Sequence, residues 1–144
     1  MKKVNKSFKV IVDTNIWISF LIGKNLKNLQ DYIDSQTIII ITCNEQIQEL
    51  TEVFKKPKIK KYFSLEQIGE FFELLDESSV NVALKTKVEL CRDLKDNYLI
   101  SLAIDSIADL LITGDNDLLV LNKIENTRII RFSDFENFIT LQSK

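Results

Sequence analysis

Short apolar segments, separated by stretches of helical spacing, are the feature of this chain that most constrains its fold. The clearest is residues 37–42, Thr-Ile-Ile-Ile-Ile-Thr, an unbroken β-branched run typical of a strand buried on both faces. Further strands are predicted at residues 8–12, 80–84, 110–113 and 128–131. Strands that alternate with helices predict βαβ units, and therefore an α/β fold with a parallel sheet and helices on both faces.

The segments between these strands carry apolar residues at helical spacing, and three of them begin with a capping signal. Asn44 is the predicted N-cap of the helix that follows the second strand. Ser64 with Gln67, and Ser133 with Glu136, match the capping box that opens a helix. Helices are predicted at residues 15–22, 26–35, 44–54, 65–77 and 96–107, with a helical turn at 117–121 and a last helix opening at 133.

The aromatic residues fit the same pattern of elements. Most phenylalanines lie at helical or strand spacing, which favours core packing over base stacking. Trp17 is the exception, because it lies beside polar residues 13–15. It is expected to be partly exposed, where it could contact a second copy of the chain.

The chain contains no histidine, which removes several classes of catalytic site. Ser-His-Asp triads, histidine acid–base catalysis and HExxH zinc sites are excluded. Cys43 and Cys91 are the two cysteines, without CxxC spacing, and are predicted to be buried residues in a reducing compartment. A catalytic thiol is not expected, since no histidine is present to activate it.

Length and hydropathy predict one domain over residues 1–144 with its own core, since 45% of the residues are apolar. The N-terminus, Met1-Lys2-Lys3 before an apolar run, faintly resembles a signal peptide. Asp13 and Asn15 interrupt that run, however, and no small-residue cleavage site follows. No apolar run approaches the roughly 20 residues that span a bilayer. A cytoplasmic protein with no membrane partner is therefore expected.

The charge balance is slightly acidic, with a formal net charge of 19 − 21 = −2. Taken alone, this disfavours a nucleic-acid partner. One or two bound Mg²⁺ ions would shift the local field strongly positive. The densest basic run is Lys55-Lys56-Pro57-Lys58-Ile59-Lys60-Lys61, interpreted either as steering RNA phosphates toward a cleft or as a solvated loop.

Carboxylates directly follow two of the predicted strands. Asp13 comes after residues 8–12, and Asp115 and Asp117 come after residues 110–113. The carboxyl ends of parallel strands open onto the binding crevice of a sheet, so these side chains are expected to meet. Like charges at close range disfavour one another's ionised form, and a bound divalent cation is the commonest reason for such crowding.

Two helix starts supply further acidic candidates. Glu45 and Glu49 lie one turn apart after the second strand, and Asp93 and Asp96 lie at the start of the long helix. Mg²⁺ prefers oxygen ligands and keeps several waters, so carboxylates around one crevice suit it. The acids also have plain structural interpretations: helix caps for Asp13, Asp96 and Asp117, a solvated helix face for Glu49, and a tight turn for residues 114–117.

Four motifs together resemble the PIN-domain family, most closely its VapC-like branch of toxins from toxin–antitoxin pairs. The order and spacing agree over nearly the whole chain, and the last two motifs are the most specific. The motifs are Asp13-Thr14-Asn15-Ile16-Trp17, then Glu49-Leu50 before Pro57, then Cys91-Arg92-Asp93-Leu94-Lys95-Asp96-Asn97, then Thr113-Gly114-Asp115-Asn116-Asp117-Leu118-Leu119.

The resemblance implies a three-layer α/β/α sandwich with a central parallel sheet. It implies Mg²⁺- or Mn²⁺-dependent cleavage of RNA phosphodiesters by a metal-activated water. It also implies a homodimer that a small antitoxin protein holds inactive. Carried over by position, the family's acidic quartet is Asp13, Glu49, Asp96 and Asp115.

Further residues take secondary places in this hypothesis. Asp117 is an auxiliary acid and a candidate metal ligand beside the quartet, and Thr14, Asn15 and Thr113 match polar residues that orient the cluster. Asp93 either shares the site with Asp96 or pairs with Arg92. Glu45 has no family counterpart and is expected at the surface.

The expected division of roles follows from the chemistry of a carboxylate-bound cation. Asp13, Asp96 and Asp115 would hold the metal, directly or through water. Glu49 would complete the shell or orient the attacking water. No histidine is needed, because the metal lowers the pKa of the water.

Other interpretations share parts of this pattern. A haloacid-dehalogenase-like phosphatase also begins with a strand followed by Asp, but it needs a second Asp where this chain has Asn15. A receiver domain needs an acidic pair before the phosphoacceptor and a later Lys, and neither is evident. Two alternatives stay open: a non-catalytic PIN-like module that binds RNA or protein, and an RNA-processing nuclease that is not a toxin. The complete quartet favours catalysis over the first.

Overall fold

Strands and helices alternate through the computed structural model, which describes residues 7–23, 26–87 and 94–142. Cys91 and Asp93 therefore lie outside the described residues. None of the helices in these ranges is long and apolar enough to cross a membrane. The elements are β1 (Phe8–Val12), α1 (Thr14–Gly23), α2 (Leu26–Asp34), β2 (Ile38–Thr42), α3 (Asn44–Lys55), α4 (Pro57–Lys60), α5 (Leu65–Ser78), β3 (Ser79–Asn81), α6 (Leu94–Ser106), β4 (Leu110–Ile112), α7 (Asn116–Leu119), β5 (Lys123–Ile124), β6 (Thr127–Ile130) and α8 (Phe132–Gln142).

The sheet changes its direction of winding between β1 and β4. Its strand order is β3-β2-β1-β4-β6-β5. The chain adds β2 and β3 on one side of β1, and then β4, β6 and β5 on the other side. Neighbouring strands are parallel except β5, which pairs antiparallel with β6. In open α/β sheets, ligands bind outside the carboxyl ends of the strands at such a switch point. The fold therefore places its crevice where β1 and β4 end.

Successive residues of the central strands face two different hydrophobic clusters. Val10 and Ile112 belong to a cluster with side chains from α1, α2, α3, α5 and α8. Ile11 and Leu111 belong to the other, with side chains from α6 and α7. Helices thus cover both faces, and the predicted three-layer α/β/α sandwich is confirmed. The sheet is mixed, because the β5–β6 hairpin adds an antiparallel edge.

The β6 strand matches the strand predicted at residues 128–131, whereas β5, and with it the β5–β6 hairpin, was not predicted. The β5 strand is only two residues long. Asn122 and Glu125 beside it adopt positive φ angles of 64° and 49°, a conformation that usually signals glycine. Neither position is a glycine, so the hairpin turn could not be predicted from the sequence.

Several predicted boundaries shift where packing competes with local signals. Cys43, not Asn44, is the N-cap of α3, and it makes no side-chain cap hydrogen bond. The Ser64–Gln67 capping box is confirmed, with both reciprocal hydrogen bonds present. The Ser133 capping prediction was wrong, because α8 begins at Phe132 and Ser133 therefore lies inside the first turn; the Phe132 ring packs against the core. The edge strand β3, predicted at residues 80–84, is Ser79–Asn81, so it begins one residue earlier and ends three residues earlier than predicted.

The exposure predicted for Trp17 was wrong. Its side chain is 2% exposed and packs edge-on against Phe71 of α5, with ring centroids 5.6 Å apart. The polar neighbours of Trp17 point to the sheet edge, whereas its own position on α1 faces the core. The phenylalanines do form the core as predicted, for example Phe54, whose ring contacts those of Phe63, Phe71 and Phe72.

Two carboxylates away from the strand ends support the fold. Asp105 of α6 accepts hydrogen bonds from the Lys85 and Thr86 backbone N–H groups, at 2.6 and 3.0 Å, and from the Thr86 hydroxyl. The Thr86 hydroxyl is the main cause that lowers the pKa of Asp105. Asp109 accepts from the Lys9 backbone N–H at 2.8 Å. These acids fix connecting segments and do not lie in the crevice.

A buried glutamine ties α3 to the carboxyl ends of two strands. The Gln46 side chain is fully buried. Its Oε1 accepts from the Thr42 hydroxyl at 2.6 Å, and its Nε2 donates to the Val12 carbonyl at 2.6 Å. Val12 directly precedes Asp13, so this bridge fixes the position of α3 relative to the first acid of the crevice.

We expect Gln46→Leu to lower the free energy of unfolding by roughly 2 kcal/mol or more, because each abandoned buried partner costs about 1–3 kcal/mol. Urea unfolding at neutral pH measures the loss. Gln48→Leu is the matched control, since Gln48 is exposed on the same helix and its substitution should change stability by about 0.5 kcal/mol or less. Equal losses in the two variants would contradict the bridging role.

Candidate active site

The switch point brings the polar residues after β1 and β4 side by side. The Asp13 backbone N–H donates to the Ile112 carbonyl at 2.9 Å, which extends the β1–β4 pairing by one residue. Thr113 directly follows β4 and donates its hydroxyl to Asp13 Oδ2 at 2.6 Å. The same Thr113 oxygen accepts from the Asp115 backbone N–H at 3.0 Å. One threonine therefore links the two strand ends.

Asp13 lies in a setting that penalises its charge. Its side chain is 7% exposed, and burial is the main cause that raises its pKa above the ordinary value. The Thr113 hydrogen bond opposes that rise, whereas the charges of Glu49 and Asp115 add to it. The like-charge crowding that the sequence predicted is thus present around Asp13.

Glu49 of α3 is held by two hydroxyl groups. Its Oε1 accepts from the Thr14 hydroxyl at 2.6 Å and from the Tyr98 hydroxyl at 2.6 Å. Burial, and then the hydrogen bond to Glu49, raise the pKa of Tyr98, so its hydroxyl keeps its proton and acts as a donor. Three elements, α1, α3 and α6, therefore converge on this carboxylate.

A second group of acids converges where α6 meets the end of β4. One carboxylate oxygen from each of Asp96, Asp115 and Asp117 lies within 4.8 Å of the other two. Asp115 is the N-cap of α7, and its Oδ1 accepts from the Asp117 backbone N–H at 2.9 Å. Asp96 is 5% exposed, in the first turn of α6. The helix starts hold these acids in place.

The spacing and donor type of this group fit a hard divalent cation. Opposite ligands of Mg²⁺, each about 2.1 Å from the ion, lie roughly 4.2 Å apart, so small side-chain adjustments would let all three oxygens reach one ion. The available donors are carboxylate and hydroxyl oxygens, which suit Mg²⁺ or Mn²⁺ better than softer metals.

A cavity of about 210 Å³ joins the two groups of acids. This volume has room for a hydrated ion, because one water needs roughly 10–15 Å³ of it. Asp13, Glu49, Asp96 and Asp115, the four acids predicted from the sequence, line the same cavity, together with Asn15, Val53, Lys56 and Leu99.

The structure ranks the secondary candidates differently from the sequence. Asp117, predicted as an auxiliary acid and a candidate metal ligand, belongs to the group of three acids whose oxygens lie within 4.8 Å of one another. The Asn15 backbone N–H faces Asp13 Oδ1 at 3.4 Å, a long contact. Glu45 is exposed, as expected, and lies in a neighbouring groove. The roles of these residues stay predictions.

Three contributors to the site were not predicted: Gln46, Lys56 and Tyr98. Lys56 stood in the basic run, but nothing in the sequence placed it beside the acids. Tyr98 lies two residues after Asp96, which in a helix turns it toward a different neighbour. Its contact with Glu49 depends on how α6 docks beside α3, which no local pattern encodes.

Cys43, the cysteine within the described residues, is not a reactive thiol. Burial raises the pKa of the Cys43 thiol to about 12, so almost none of it is thiolate at neutral pH. The expectation that Cys43 is a buried small residue is confirmed.

We expect Tyr98→Phe to lower the free energy of unfolding by about 1–2 kcal/mol at pH 7, since Glu49 loses one hydrogen bond to its charged group and keeps the other. Urea unfolding measures the change. Tyr32→Phe is the control, because the Tyr32 ring packs edge-on against Phe135 and no hydrogen bond of its hydroxyl is recorded among the described residues. An unchanged stability in Tyr98→Phe would show that the tyrosine does not support Glu49.

Comparison with known proteins agrees with this geometry. The family model described as "PIN domain" matches residues 9–117, a range that contains every acid of the cavity. An uncharacterized protein of Methanocaldococcus jannaschii is 34% identical over 125 residues, covering 84% of this chain and 80% of that protein. A chain from the crystal structure of VapBC2 from Rickettsia felis, bound to a promoter DNA fragment, has a TM-score of 0.54 at 17% identity, covering 84% of this chain and 96% of that one. The last likeness concerns the fold, and the family match extends over most of the sequence, so the chain belongs to the PIN-domain family.

Proposed function

We propose that this protein is a Mg²⁺- or Mn²⁺-dependent endoribonuclease. The observation that most supports the proposal is the convergence of Asp96, Asp115 and Asp117 oxygens within 4.8 Å, beside a cavity that Asp13 and Glu49 also line. Mutual repulsion makes such a group costly unless a cation neutralises it. Membership of the PIN-domain family supports a nuclease.

Some residues of the cavity would bind the cation, and others would hold the carboxylates in position. Asp96, Asp115 and Asp117 would hold the cation, with Asp13 completing the site directly or through water. A bound divalent cation would lower the pKa of water and neutralise charge on the phosphate. Glu49 would orient the attacking water or accept its proton. Thr113 positions Asp13, and Thr14 and Tyr98 position Glu49, so the carboxylates need little rearrangement when substrate arrives.

RNA is proposed as the substrate from the resemblance of the four motifs to the VapC-like branch. No histidine is available as a general base, and a carboxylate site with a cation needs none. Phosphodiester hydrolysis is therefore the reaction for which the cavity has the required groups.

Cleavage of a panel of single-stranded and hairpin RNAs tests the activity. We expect cutting with Mg²⁺ or Mn²⁺, none with EDTA, and a loss on the order of 100-fold or more in Asp13→Asn, since a cation site supplies several kcal/mol of charge stabilisation. Glu45→Gln is the matched control, because it removes one exposed carboxylate near the cavity without touching the quartet.

Thermal unfolding separates metal binding from catalysis in the same samples. Mn²⁺ at about 100 times its Kd should stabilise the wild type by roughly 2.7 kcal/mol. Asp115→Asn should lose most of that gain, whereas Glu45→Gln should keep it. Cutting that persists in EDTA, or full activity in Asp13→Asn, would refute the proposed mechanism. A metal-induced shift without cleavage of any RNA would favour a binding module.

We further propose that the enzyme is the toxin of a toxin–antitoxin pair. The support is the fold it shares with a chain of the VapBC2 complex, together with the toxin-like motifs. A small antitoxin protein would then be its partner. A homodimer and a cytoplasmic location stay predictions.

Controlled expression in a bacterial host tests the toxin role. We expect growth to stop on induction of the wild type and to continue with Asp13→Asn, at equal protein levels in immunoblots. Rescue by the product of a small neighbouring gene would identify the antitoxin. Normal growth beside a wild type that cleaves RNA in vitro would favour an RNA-processing nuclease.

A further inference from the structure

Residues 55–61, here named the basic arm, concentrate positive charge beside the acidic cavity. The arm contains five lysines in seven positions, all of them exposed: Lys55, Lys56, Lys58, Lys60 and Lys61. Lys55 faces Glu52 at 3.7 Å, in a pair whose side chains are 69% and 64% exposed. The other four lysines form no ion pair among the described residues. Most of the charge of the arm is therefore available to a partner.

Backbone hydrogen bonds and contacts with the core hold the basic arm in place. Pro57 opens α4, and the Lys60 backbone N–H donates to the Lys56 carbonyl at 2.8 Å. Ile59 and Phe63 pack against the hydrophobic core, so the intervening lysines project outward. Because the backbone is already ordered, the arm would lose less conformational entropy on binding a ligand than a flexible loop would.

Lys56 connects the basic arm to the candidate active site. It lines the acidic cavity with Asp13 and Asp96, and it also lines a neighbouring groove of about 360 Å³. That groove carries the exposed acids Glu45 and Glu52. The acids of the groove would repel a polyanion that leaves the cavity, and the lysines of the arm would attract it, since exposed charges interact within about 10 Å at ordinary salt.

An exposed aromatic ring lies at the far end of the arm. Tyr62 is 53% exposed, and the Lys61 ammonium lies 5.4 Å from its ring centroid. The Phe63 ring lies beside Tyr62, tilted by 55°, with ring centroids 6.4 Å apart. Alternating cations and an accessible aromatic face are the elements with which proteins bind single-stranded nucleic acid: backbone phosphates on the lysines and a base on the ring.

We propose that the basic arm and Tyr62 form a binding site for single-stranded RNA, along which the strand runs from the acidic cavity past Lys56 to Lys58, Lys60, Lys61 and the Tyr62 ring. The proposal rests on the proposed function only in taking RNA as the substrate. Binding along the arm is measured separately from cleavage, so either proposal can fail alone.

Charge neutralisation tests the arm. A fluorescent single-stranded RNA is titrated in Mg²⁺ with the Asp13→Asn protein, and its integrity is checked on a gel. Adding Lys58→Gln, Lys60→Gln and Lys61→Gln should raise Kd by roughly tenfold or more at low salt and reduce the slope of log K against log salt by about 2, since each lost phosphate contact removes about 0.7. The control, Lys27→Gln with Lys87→Gln and Lys123→Gln, removes the same charge from other exposed positions and should change Kd less than twofold.

The tyrosine provides a second variant that leaves net charge unchanged. Tyr62→Ala should raise Kd by roughly tenfold, within the range of one base stacked on an aromatic ring. Tyr62→Phe should bind as well as the wild type, because the ring and not the hydroxyl makes the contact. Circular dichroism melts confirm that each variant is folded.

Each outcome decides between explanations. Equal weakening by the two triple variants would show that net charge alone attracts RNA, and would overturn the arm. Unchanged binding in both the lysine triple and Tyr62→Ala would overturn it as well, and tighter binding of duplex DNA than of single-stranded RNA would overturn the assigned ligand. RNA binding that depends on the arm, in a wild type that cuts no RNA, would sustain the arm and refute the nuclease.

Discussion

The parallel pairing of β1 with β4 is the interaction on which the rest of the site depends. It joins two strands separated by nearly 100 positions in the chain, and the Asp13–Ile112 backbone hydrogen bond extends it past the end of β1. Each strand end then delivers its own acids, Asp13 from one side and Asp115 from the other. The winding of the sheet reverses here, which is where the crevice of an open α/β sheet lies.

Hydroxyl groups make the crowding of acids compatible with a stable fold. Burial and neighbouring charges both penalise the charge of Asp13, and the Thr113 hydroxyl offsets part of that penalty. Thr14 and Tyr98 hold Glu49 in position by donating hydrogen bonds to one of its oxygens. These hydroxyls carry no charge of their own, so they fix the carboxylates without neutralising them. The carboxylates therefore keep their negative potential, which suits a cation. Crowding them lowers the stability of the fold, and the packing of the two hydrophobic clusters compensates for that loss.

Charge is distributed so that an acidic protein can still present a cationic surface. The net charge of −2 is a sum in which the acidic cavity and the neighbouring basic arm partly cancel. Lys56 belongs to both, and the groove that it also lines carries the exposed acids Glu45 and Glu52. Local arrangement, and not the sum over the chain, therefore governs which way a phosphate backbone would lie across this face.

The sequence by itself determined the fold class, because short β-branched apolar runs such as residues 37–42 favour buried strands, and the helical spacing between the strands indicates helical crossovers. Its predicted strand ends also indicated that Asp13, Asp115 and Asp117 would meet, and its resemblance to the PIN-domain family added Glu49 and Asp96 to the predicted site. Only the tertiary structure decided what lies across from each acid: Tyr98 on Glu49, Gln46 beneath Val12, Lys56 in the cavity wall and Trp17 in the core. These contacts join residues from different elements, and their geometry depends on how helices dock on the sheet. Local patterns fix which face a residue occupies, but long-range packing fixes what that face meets.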